Sequence, residues 1–387
     1  MKGSIRRRGL AAVAAVLAAG VVAASCSSGD DGSTASESTP DEATAEWLEG
    51  ADAEWDAVME EAREEGTVVV AGPAPLADAM TEAFKADTGI DLEWVGGSGS
   101  DLSSRFETEV RAGHASIDLL FGGGNELETL LPDGLLEPIK PQLILPSVQE
   151  GPNWREGTWH WYDNAGQYLF QGTTYVFGYV TVNGDMVDAS AIETWDDLLD
   201  PEYKGKIIAY DPRSNGPGQG AVGAMALALD YPYLEQLFTE QDVTFVADND
   251  QLAQAVARGD QPIALALIQQ QIEKFVAEGI NLEVVLPEPM PGYLTPGFGV
   301  VRQAKGAPHP AAAQVFLNWY ASKNGQQTYQ DVMLESSNRL DTDKSKLPDY
   351  TVPQEGVDYL NDGLSEDYYV TDRKVVIEQV TELIGGR

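Results

Sequence analysis

The sequence predicts an α/β fold in which parallel-rich sheets are flanked by helices and divided between two lobes. Short apolar segments alternate with segments of helical spacing over residues 55–125, and the same alternation returns over residues 195–286. Strands that alternate with helices in this way form parallel sheets with helices packed on them. The chain of 387 residues is also long enough for two domains, each with a substantial core.

In the first half of the chain, short apolar runs predict buried strands, and apolar residues three or four apart predict helices that bury one face. The predicted elements are a helix carrying Trp55, Met59 and Ala62, a strand over Thr67–Ala71, a helix carrying Leu76, Met80 and Phe84, a strand over Ile90–Val95, a helix carrying Leu102, Phe106 and Val110, a strand over Ile117–Phe121 and a helix from Asn125. Gly66 and Gly89 end the first two helices, and Ser100 or Asp101 is the predicted N-cap of the third.

The second half repeats the alternation. Its predicted elements are a short helix at Trp195–Leu199, a strand over Lys206–Tyr210, helices over Gly220–Leu229 and Asp250–Arg258, a strand over Pro262–Ile268, a helix over Gln269–Ala277, a strand over Leu282–Leu286, a helix from Pro310 and a closing helix carrying Val376, Val380 and Leu383. The pattern is broken at Tyr175–Asn183 and at Leu294–Arg302. We therefore expect the chain to cross between the lobes at these two places.

The first 25 residues predict a signal peptide. A start that carries one lysine and three arginines is followed by an uncharged apolar run over Leu10–Ala24, which is short for a membrane-spanning helix. Cys26 comes directly after small residues and is similar to the acylated cysteine of bacterial lipoprotein signals, although Ala23 stands where Leu or Val is usual. The alternative is an ordinary secretory signal followed by a chance cysteine.

Cys26 is the single cysteine of the chain, so no intramolecular disulfide can form. A lipid anchor would give this residue a use and would hold the protein outside the cytoplasm, at the cell membrane. Residues 26–52 are rich in Ser, Thr, Gly and acidic residues. Such a segment cannot bury enough apolar area to order itself, so it predicts a disordered tether between the anchor and the folded part.

Charge and composition exclude several classes of function. The formal net charge is −38, which makes nucleic acid and anionic lipid unsuitable partners for the bulk surface. His114, His160 and His309 each lack a second His or Cys at metal-ligand spacing, and no pair of carboxylates stands out for acid–base work. The sequence therefore predicts no catalytic residues, no metal site and no cofactor.

Two loops after predicted strands have the composition of a ligand site. WVGGSGSD contains Ser98, Gly99 and Ser100 ahead of a helix, but it lacks the lysine of a phosphate-binding P-loop, the third glycine of a dinucleotide fingerprint and the spacing of a nucleophile elbow. YDPRSNGPGQG offers Ser214 and free N–H groups around Gly218, which can hold an anion. The next predicted strand ends in a similar loop, Gly122-Gly123-Gly124, and the carboxyl ends of neighbouring parallel strands line one crevice. We expect the loop of Ser98–Ser100 to form one half of a ligand clamp, with Ser214, Asn215 and the N–H groups near Gly218 as the facing half. The alternative is a pair of plain capped turns, with the arginine of the second loop bound to its neighbouring aspartate.

Five stretches together resemble one family. They are EWDAVMEEAREEGTVVVAG, GSGSDLSSRFETEVRAGHASIDLLFGGG, GYVTVNGDMV, TWDDLLDPEYKGKIIAYDPRSNGPG and RQAKGAPHPAAAQVFLNWYASKNGQQ. They resemble the bacterial extracellular solute-binding proteins of family 1, the ferric-iron type, over most of residues 53–335. The resemblance implies a two-lobe, type II periplasmic-binding-protein fold with lobe 1 at 53–176 and 299–387, and with lobe 2 at 177–298.

The resemblance also implies a function and a set of contacts. The expected protein is a monomer that captures a small-molecule solute between its lobes and delivers it to the permease and ATPase subunits of an ABC importer, with no chemistry on the solute. The implied contacts are Ser98 and Ser100 in one loop, Ser214 and Asn215 in the other, and Tyr175 and Tyr293 beside the crossings.

One departure from the family bears on the solute. Ferric-iron members hold the metal with two adjacent tyrosines in the second lobe, roughly where this chain reads Ile268-Gln-Gln-Gln-Ile272. Tyr368 and Tyr369 are adjacent, but they lie near the C-terminus, where the family does not place its ligands. The hypothesis is therefore a small polar or anionic solute. A ferric-iron receptor, a sensor ectodomain and an anchored α/β hydrolase are the alternatives.

Overall fold

The computed structural model describes residues 47–214 and 216–385. The predicted signal peptide, Cys26, most of the predicted tether and Asn215 lie outside these residues. Folded sequence begins earlier than the predicted helix at Ala53, because Trp47 is 2% exposed and packs edge-to-face on Trp55 at 5.7 Å. The large apolar area of an indole ring explains why this end of the predicted tether is ordered.

The secondary structure follows the predicted alternation. The helices are α1 (Ala53–Glu65), α2 (Ala77–Thr88), α3 (Gly99–Arg111), α4 (Pro217–Leu229), α5 (Tyr231–Glu240), α6 (Asn249–Arg258), α7 (Gln269–Ala277), α8 (Pro310–Ala321), α9 (Lys323–Met333) and α10 (Arg373–Ile384). The strands are β1 (Thr67–Pro73), β2 (Asp91–Gly97), β3 (Leu119–Gly122), β4 (Leu136–Glu137), β5 (His160–Trp161), β6 (Phe170–Gln171), β7 (Tyr175–Phe177), β8 (Val180–Asn183), β9 (Ile207–Tyr210), β10 (Thr244–Val246), β11 (Ile263–Leu265), β12 (Leu282–Val285), β13 (Tyr293–Thr295) and β14 (Val300–Ala304). None of the helices in the described ranges has both the length and the apolar character needed to cross a membrane.

The first sheet has the strand order β2-β1-β3-β14-β6-β5, with β4 paired to β14. β1 runs parallel to both β2 and β3, whereas β14 runs antiparallel to β3. Aromatic side chains from α2, β3 and α8 fill the core against this sheet. Phe84, Phe121, Phe316, Trp319 and Tyr320 are each no more than 1% exposed, and their rings meet at centroid distances from 4.7 to 6.5 Å.

The second sheet has the order β10-β9-β11-β8-β12. β9 is parallel to β10 and β11, and β8 is antiparallel to both of its neighbours. Its core includes side chains from α4, α5 and α6. Val380 and Ile384 of α10 are 0% exposed in this core, and α10 packs on α4 and α5. The sequence-based division placed this last helix in lobe 1, together with residues 299–372, whereas its contacts are with helices of the predicted lobe 2.

A separate two-stranded sheet lies where the crossings were predicted. β7 and β13 pair antiparallel, with Tyr293 opposite Phe177 and Thr295 opposite Tyr175. After β7 the chain enters the second sheet as β8, and after β13 it returns to the first sheet as β14. The breaks in the sequence pattern therefore correspond to two adjacent hinge strands.

Two local predictions were wrong. The helix predicted from Asn125 is a single 3-10 turn over Asn125–Leu127, because Pro132 and the left-handed Gly134 (φ 64°) prevent a longer helix. The N-cap of α3 is Ser98 rather than Ser100 or Asp101. Its side chain accepts a hydrogen bond from the Asp101 amide, so the helix begins two residues earlier than we expected.

Candidate functional site

The first predicted ligand loop is exposed at the start of α3. Ser98 Oγ accepts from Asp101 N at 3.3 Å and lies 3.3 Å from Ser100 Oγ. A Cβ added to Gly99 would lie 3.7 Å from the ring of Phe298, so the loop lies beside the turn that follows β13. The structure thus brings Ser98, Gly99 and Ser100 to the hinge region, with hydroxyl and N–H groups facing outward from a helix N-terminus.

The second predicted loop joins β9 to α4. Ser214 is half-buried, and its amide donates to the Asp211 carbonyl at 3.1 Å. Gly218 is buried in the first turn of α4, where a Cβ would overlap the carbonyl group of Tyr210. Arg213 binds Asp211 through Nε at 2.9 Å and Nη2 at 2.7 Å, and these bonds raise the pKa of its guanidinium. Arg213 is therefore bound to its neighbouring aspartate, as the alternative interpretation of the sequence predicted.

Tyr175 and Tyr293 lie on the two hinge strands and are each 5% exposed. Gly220 of α4 leaves room for the Tyr293 hydroxyl, which occupies the space of a Cβ at that position. Burial raises the pKa of both phenols well above the usual value. Both side chains are therefore neutral near pH 7 in the ligand-free protein.

A buried carboxyl group, which the sequence pattern did not single out, lies behind the hinge. Glu335 is 0% exposed and accepts from Tyr329 Oη at 2.8 Å and from Phe298 N at 3.3 Å. A Cβ on Gly297 would come within 2.6 Å of its carboxyl carbon and within 2.5 Å of a Tyr175 ring carbon. Glu335 therefore packs against both the turn beside the first loop and Tyr175 of β7.

The C-terminal segment of residues 360–372 passes along the hinge and contacts the predicted lobe 1. Leu294 N donates to Leu360 O at 2.8 Å, and Tyr162 Oη donates to Gly363 O at 3.1 Å. Tyr369 Oη donates to Asn125 Oδ1, in the loop that follows β3. The segment then enters α10, which packs on the helices of the second sheet.

Tyr368 and Tyr369 are therefore at the boundary between the two sheets, not remote from it as their position near the C-terminus suggested. They are 6% and 5% exposed. The Tyr368 hydroxyl occupies the space that a Cβ on Gly223 of α4 would take, while Tyr369 packs edge-to-face on Tyr162 at 5.7 Å. The sequence offered one signal for them, the adjacent pair of tyrosines.

The place where iron-binding relatives are expected to carry two tyrosines is occupied by amides. Gln269 and Gln270, in the first turn of α7, donate to the Met333 carbonyl at 3.1 and 2.6 Å. Within residues 47–214 and 216–385, no group of three or more His, Cys, Asp or Glu side chains is placed to hold a metal ion. The two glutamines therefore join the start of α7 to the end of α9.

Two surface depressions lie on the predicted lobe 2, away from every predicted ligand residue. One, of about 600 Å³, lies between Trp195, Tyr233 and Pro289, and its neighbour, of about 320 Å³, is lined by acidic residues around Asp197. Neither contains a residue of the hinge.

Comparison with known proteins gives one family and a consistent fold. The model of a family described as bacterial extracellular solute-binding protein matches residues 79–334. An uncharacterized protein of Haemophilus influenzae is 26% identical over 290 residues, which are 70% of this chain and 77% of that protein.

Two solved structures are similar over nearly their whole length. The periplasmic binding protein AfuA of Actinobacillus pleuropneumoniae, bound to fructose-6-phosphate, has a TM-score of 0.64 and 20% identity over 82% of this chain and 98% of that one. Iron-bound HitA of Pseudomonas aeruginosa has a TM-score of 0.64 and 19% identity over 81% and 99%. At these identities the similarity establishes the fold alone, and it confirms the predicted two-lobe α/β fold of periplasmic-binding-protein type II.

Proposed function

The chain belongs to the bacterial extracellular solute-binding proteins, and we propose that it captures a small polar or anionic solute between its two lobes. It is the binding component of an ABC importer and is located outside the cytoplasm; its family and structural neighbours are binding proteins, not enzymes. The permease and ATPase of the importer are its expected partners. Sequence alone led to the same family and the same class of function.

One observation supports the proposed capture site: the first predicted loop and the helix that follows the second predicted loop each lie beside β13 or the turn after it. The loop of Ser98–Ser100 lies beside the turn after β13, and Tyr293 of β13 lies against Gly220 of α4, the helix whose first turn includes Gly218. A solute held by both loops would contact both lobes. Such a solute binds a closed form better than an open one, which is the property a hinged receptor needs.

The side chains at the hinge favour an organic solute over ferric iron. The position of the expected metal-binding pair carries Gln269 and Gln270, whose amides do not ionise. Hard cations are best held by ionised oxygen ligands. AfuA was crystallised with a sugar phosphate and HitA with iron, so ferric iron remains the second candidate, with Tyr368 and Tyr369 as the residues that favour it.

Titration calorimetry on the solute that copurifies, identified by native mass spectrometry, tests the proposal. Ser100→Ala and Ser214→Ala each remove one hydroxyl from a loop, and the loss of one hydrogen bond to a charged ligand costs on the order of 1.5–3 kcal/mol, about tenfold to a hundredfold in affinity. Ser104→Ala, an exposed change on the same helix α3, is the matched control and should bind as the wild type does. Unchanged affinity in both loop variants would refute the clamp, and tight binding of ferric iron that both variants retain would establish the iron alternative.

The lipid anchor is a separate proposal that depends on Cys26. Small residues before this cysteine and a polar segment after it support acylation, and the extracytoplasmic location of the family is compatible with it. Cys26→Ala should release the protein into the medium. If the variant stays with the membrane fraction to the same extent as the wild type, the cysteine is not the anchor.

A further inference from the structure

We propose that Arg373, together with the hydroxyl groups of Tyr293 and Tyr368, forms an oxyanion subsite at the boundary between the lobes. Its ligand would be the carboxylate or phosphate group of the captured solute. This inference rests on the proposed function, because it assigns the chemical class of the solute held between the lobes. It uses residues of the C-terminal segment, outside the two loops that the sequence singled out.

The first observation is that Arg373 lies among buried tyrosines and has no acidic partner in the described residues. The guanidinium carbon of Arg373 lies 3.7 Å from the ring centre of Tyr369, and its Cγ lies 3.5 Å from the position of a Cβ on Gly223. The side chain is partly exposed, and within the described residues no carboxylate lies within ion-pair distance of it. One of its donors interacts with the Tyr369 hydroxyl. The remaining donors suit a carboxylate or phosphate, with which guanidinium groups pair in fork geometry.

The second observation is a pair of tyrosine hydroxyls beside that arginine. Tyr293 and Tyr368 are 5% and 6% exposed, and in the part of the chain that the structure describes neither hydroxyl forms a hydrogen bond. Glycines at positions 220 and 223 of α4 leave the space that the two hydroxyls occupy. Neither hydroxyl oxygen is fully enclosed by protein, so both are able to donate to a ligand.

The charges around the site favour an anion over a cation. Burial raises the pKa of the phenols of Tyr162, Tyr293, Tyr368 and Tyr369, and the positive charge of Arg373 opposes this rise in all four, which places the guanidinium close to each of them. A metal cation would be repelled by that charge. The positive end of α4, whose first turn includes Gly220, adds to the same field. Of the acidic groups nearby, Asp362, Asp372 and Glu128 are exposed to solvent, and Glu126 is paired with Arg302.

The position of the site links anion binding to closure. Tyr369 binds Asn125 in the loop after β3, and Arg373 begins the helix that packs on α4 and α5. An anion held by Arg373 would therefore lie against elements of both sheets. Its charge would be neutralised best when those elements are close together, so binding should favour the closed arrangement.

Calorimetry with defined small anions tests the subsite on the full protein. The probes are inorganic phosphate, glycerol 3-phosphate, glucose 6-phosphate and citrate, with glycerol and glucose as the matched neutral compounds. We expect the wild type to bind at least one of the anions and neither neutral compound. Phosphate esters that bind while citrate does not would identify phosphate as the group, and the reverse would identify carboxylate.

Variants assign that binding to Arg373. Arg373→Gln should weaken anion binding about tenfold to a hundredfold, Arg373→Lys should weaken it less, and Tyr368→Phe should weaken it severalfold. Arg258→Gln removes the same charge at an exposed position paired with Asp260, so it is the control and should bind as the wild type does. Unfolding curves show that each variant is folded, and Arg373→Lys keeps the cation should the glutamine variant fail to fold.

The subsite is overturned if the wild type binds none of the four anions, or if Arg373→Gln and Arg258→Gln bind the anion equally well. These results are separable from failure of the proposed function. A copurified solute that loses affinity in Ser100→Ala and Ser214→Ala but keeps it in Arg373→Gln would retain the capture site and exclude the subsite.

Discussion

Glu335 has an unusual protonation state because it is enclosed behind the hinge. Burial raises the pKa of this carboxyl group to about 8, although the hydrogen bonds from Tyr329 and the Phe298 amide oppose the rise. Near pH 7 the group is therefore mostly protonated in the folded protein, whereas it is ionised in the unfolded chain. A neutral carboxyl group can be buried behind the hinge strands without a cationic partner.

This difference predicts a stability that falls as the pH rises. The folded-state pKa lies above the ordinary value of 4.5, so the stabilising contribution is complete below about pH 4.5 and is lost as the pH rises through about 8. Over that range we expect the wild type to lose on the order of 2–5 kcal/mol of unfolding free energy from this group. Glu335→Gln cannot ionise and should show a flatter profile in urea unfolding measured at a series of pH values.

The exposed Glu278→Gln is the control for that experiment, since it removes an acidic group of the same type from the surface. Its profile should follow that of the wild type. Parallel profiles for the wild type and Glu335→Gln would mean that the buried carboxyl group does not titrate in the way its surroundings require.

The start of α3 contains one serine that stabilises the helix and another that belongs to the proposed ligand site. Ser98 caps the helix through the Asp101 amide, whereas Ser100 lies inside the first turn, where its exposed hydroxyl bonds only to Ser98 Oγ among the described residues. Ser98→Ala should reduce the unfolding free energy by about 0.5–2 kcal/mol, because an N-cap hydroxyl is lost. Ser100→Ala should change it by less than about 0.5 kcal/mol, as surface substitutions usually do.

Urea unfolding of the ligand-free protein separates the two serines. The outcome that contradicts this assignment is an equal loss in both variants, or a larger loss in Ser100→Ala. In the first case the two hydroxyls share the cap, and the effect of Ser100→Ala on solute affinity could not be separated from its effect on the helix.

The elements that sequence patterns predicted are those with a strong local signal. Thr67–Ala71 became β1 and Gln269–Ala277 became α7 because an apolar run and a helical spacing each describe burial directly. α5 was not among the predicted elements, and its second residue is Pro232, at a position in the first helical turn where proline is tolerated. The strands β5 and β6 were missed because segments of two residues carry no period.

The candidate site was only partly predictable for a different reason. The loops of Ser98 and Ser214 follow strands, so their place at a crevice could be expected from the connectivity of parallel sheets. Arg373 and Tyr368 come near Gly223 and Tyr162 through a fold that brings together residues about 150 to 200 positions apart. A local sequence pattern carries no information about contacts between residues so far apart. The contribution of the C-terminal segment to the site could therefore be recognised only from the structure.

At the scale of the whole molecule, two hinge strands connect the sheets and predict a closing motion. The crossings are short and adjacent, and they form a two-stranded sheet of their own, which is a suitable axis for rotation of the lobes. We expect the copurified solute, added back after its removal, to reduce the radius of gyration measured by small-angle X-ray scattering. A compound that does not bind in calorimetry is the control, and scattering curves that superpose with and without saturating solute would exclude closure.

The late position of β14 and α10 in the chain has a consequence for how the protein is made. Residues 300–304 are the strand between β3 and β6 in the first sheet, and Val380 and Ile384 are fully buried in the core of the second. A ribosome releases the chain from its N-terminus, so neither core can be completed until most of the residues have emerged. The nascent protein should therefore stay unfolded throughout most of its synthesis, which is the state in which a chain with the predicted signal peptide can still be threaded through a translocation pore.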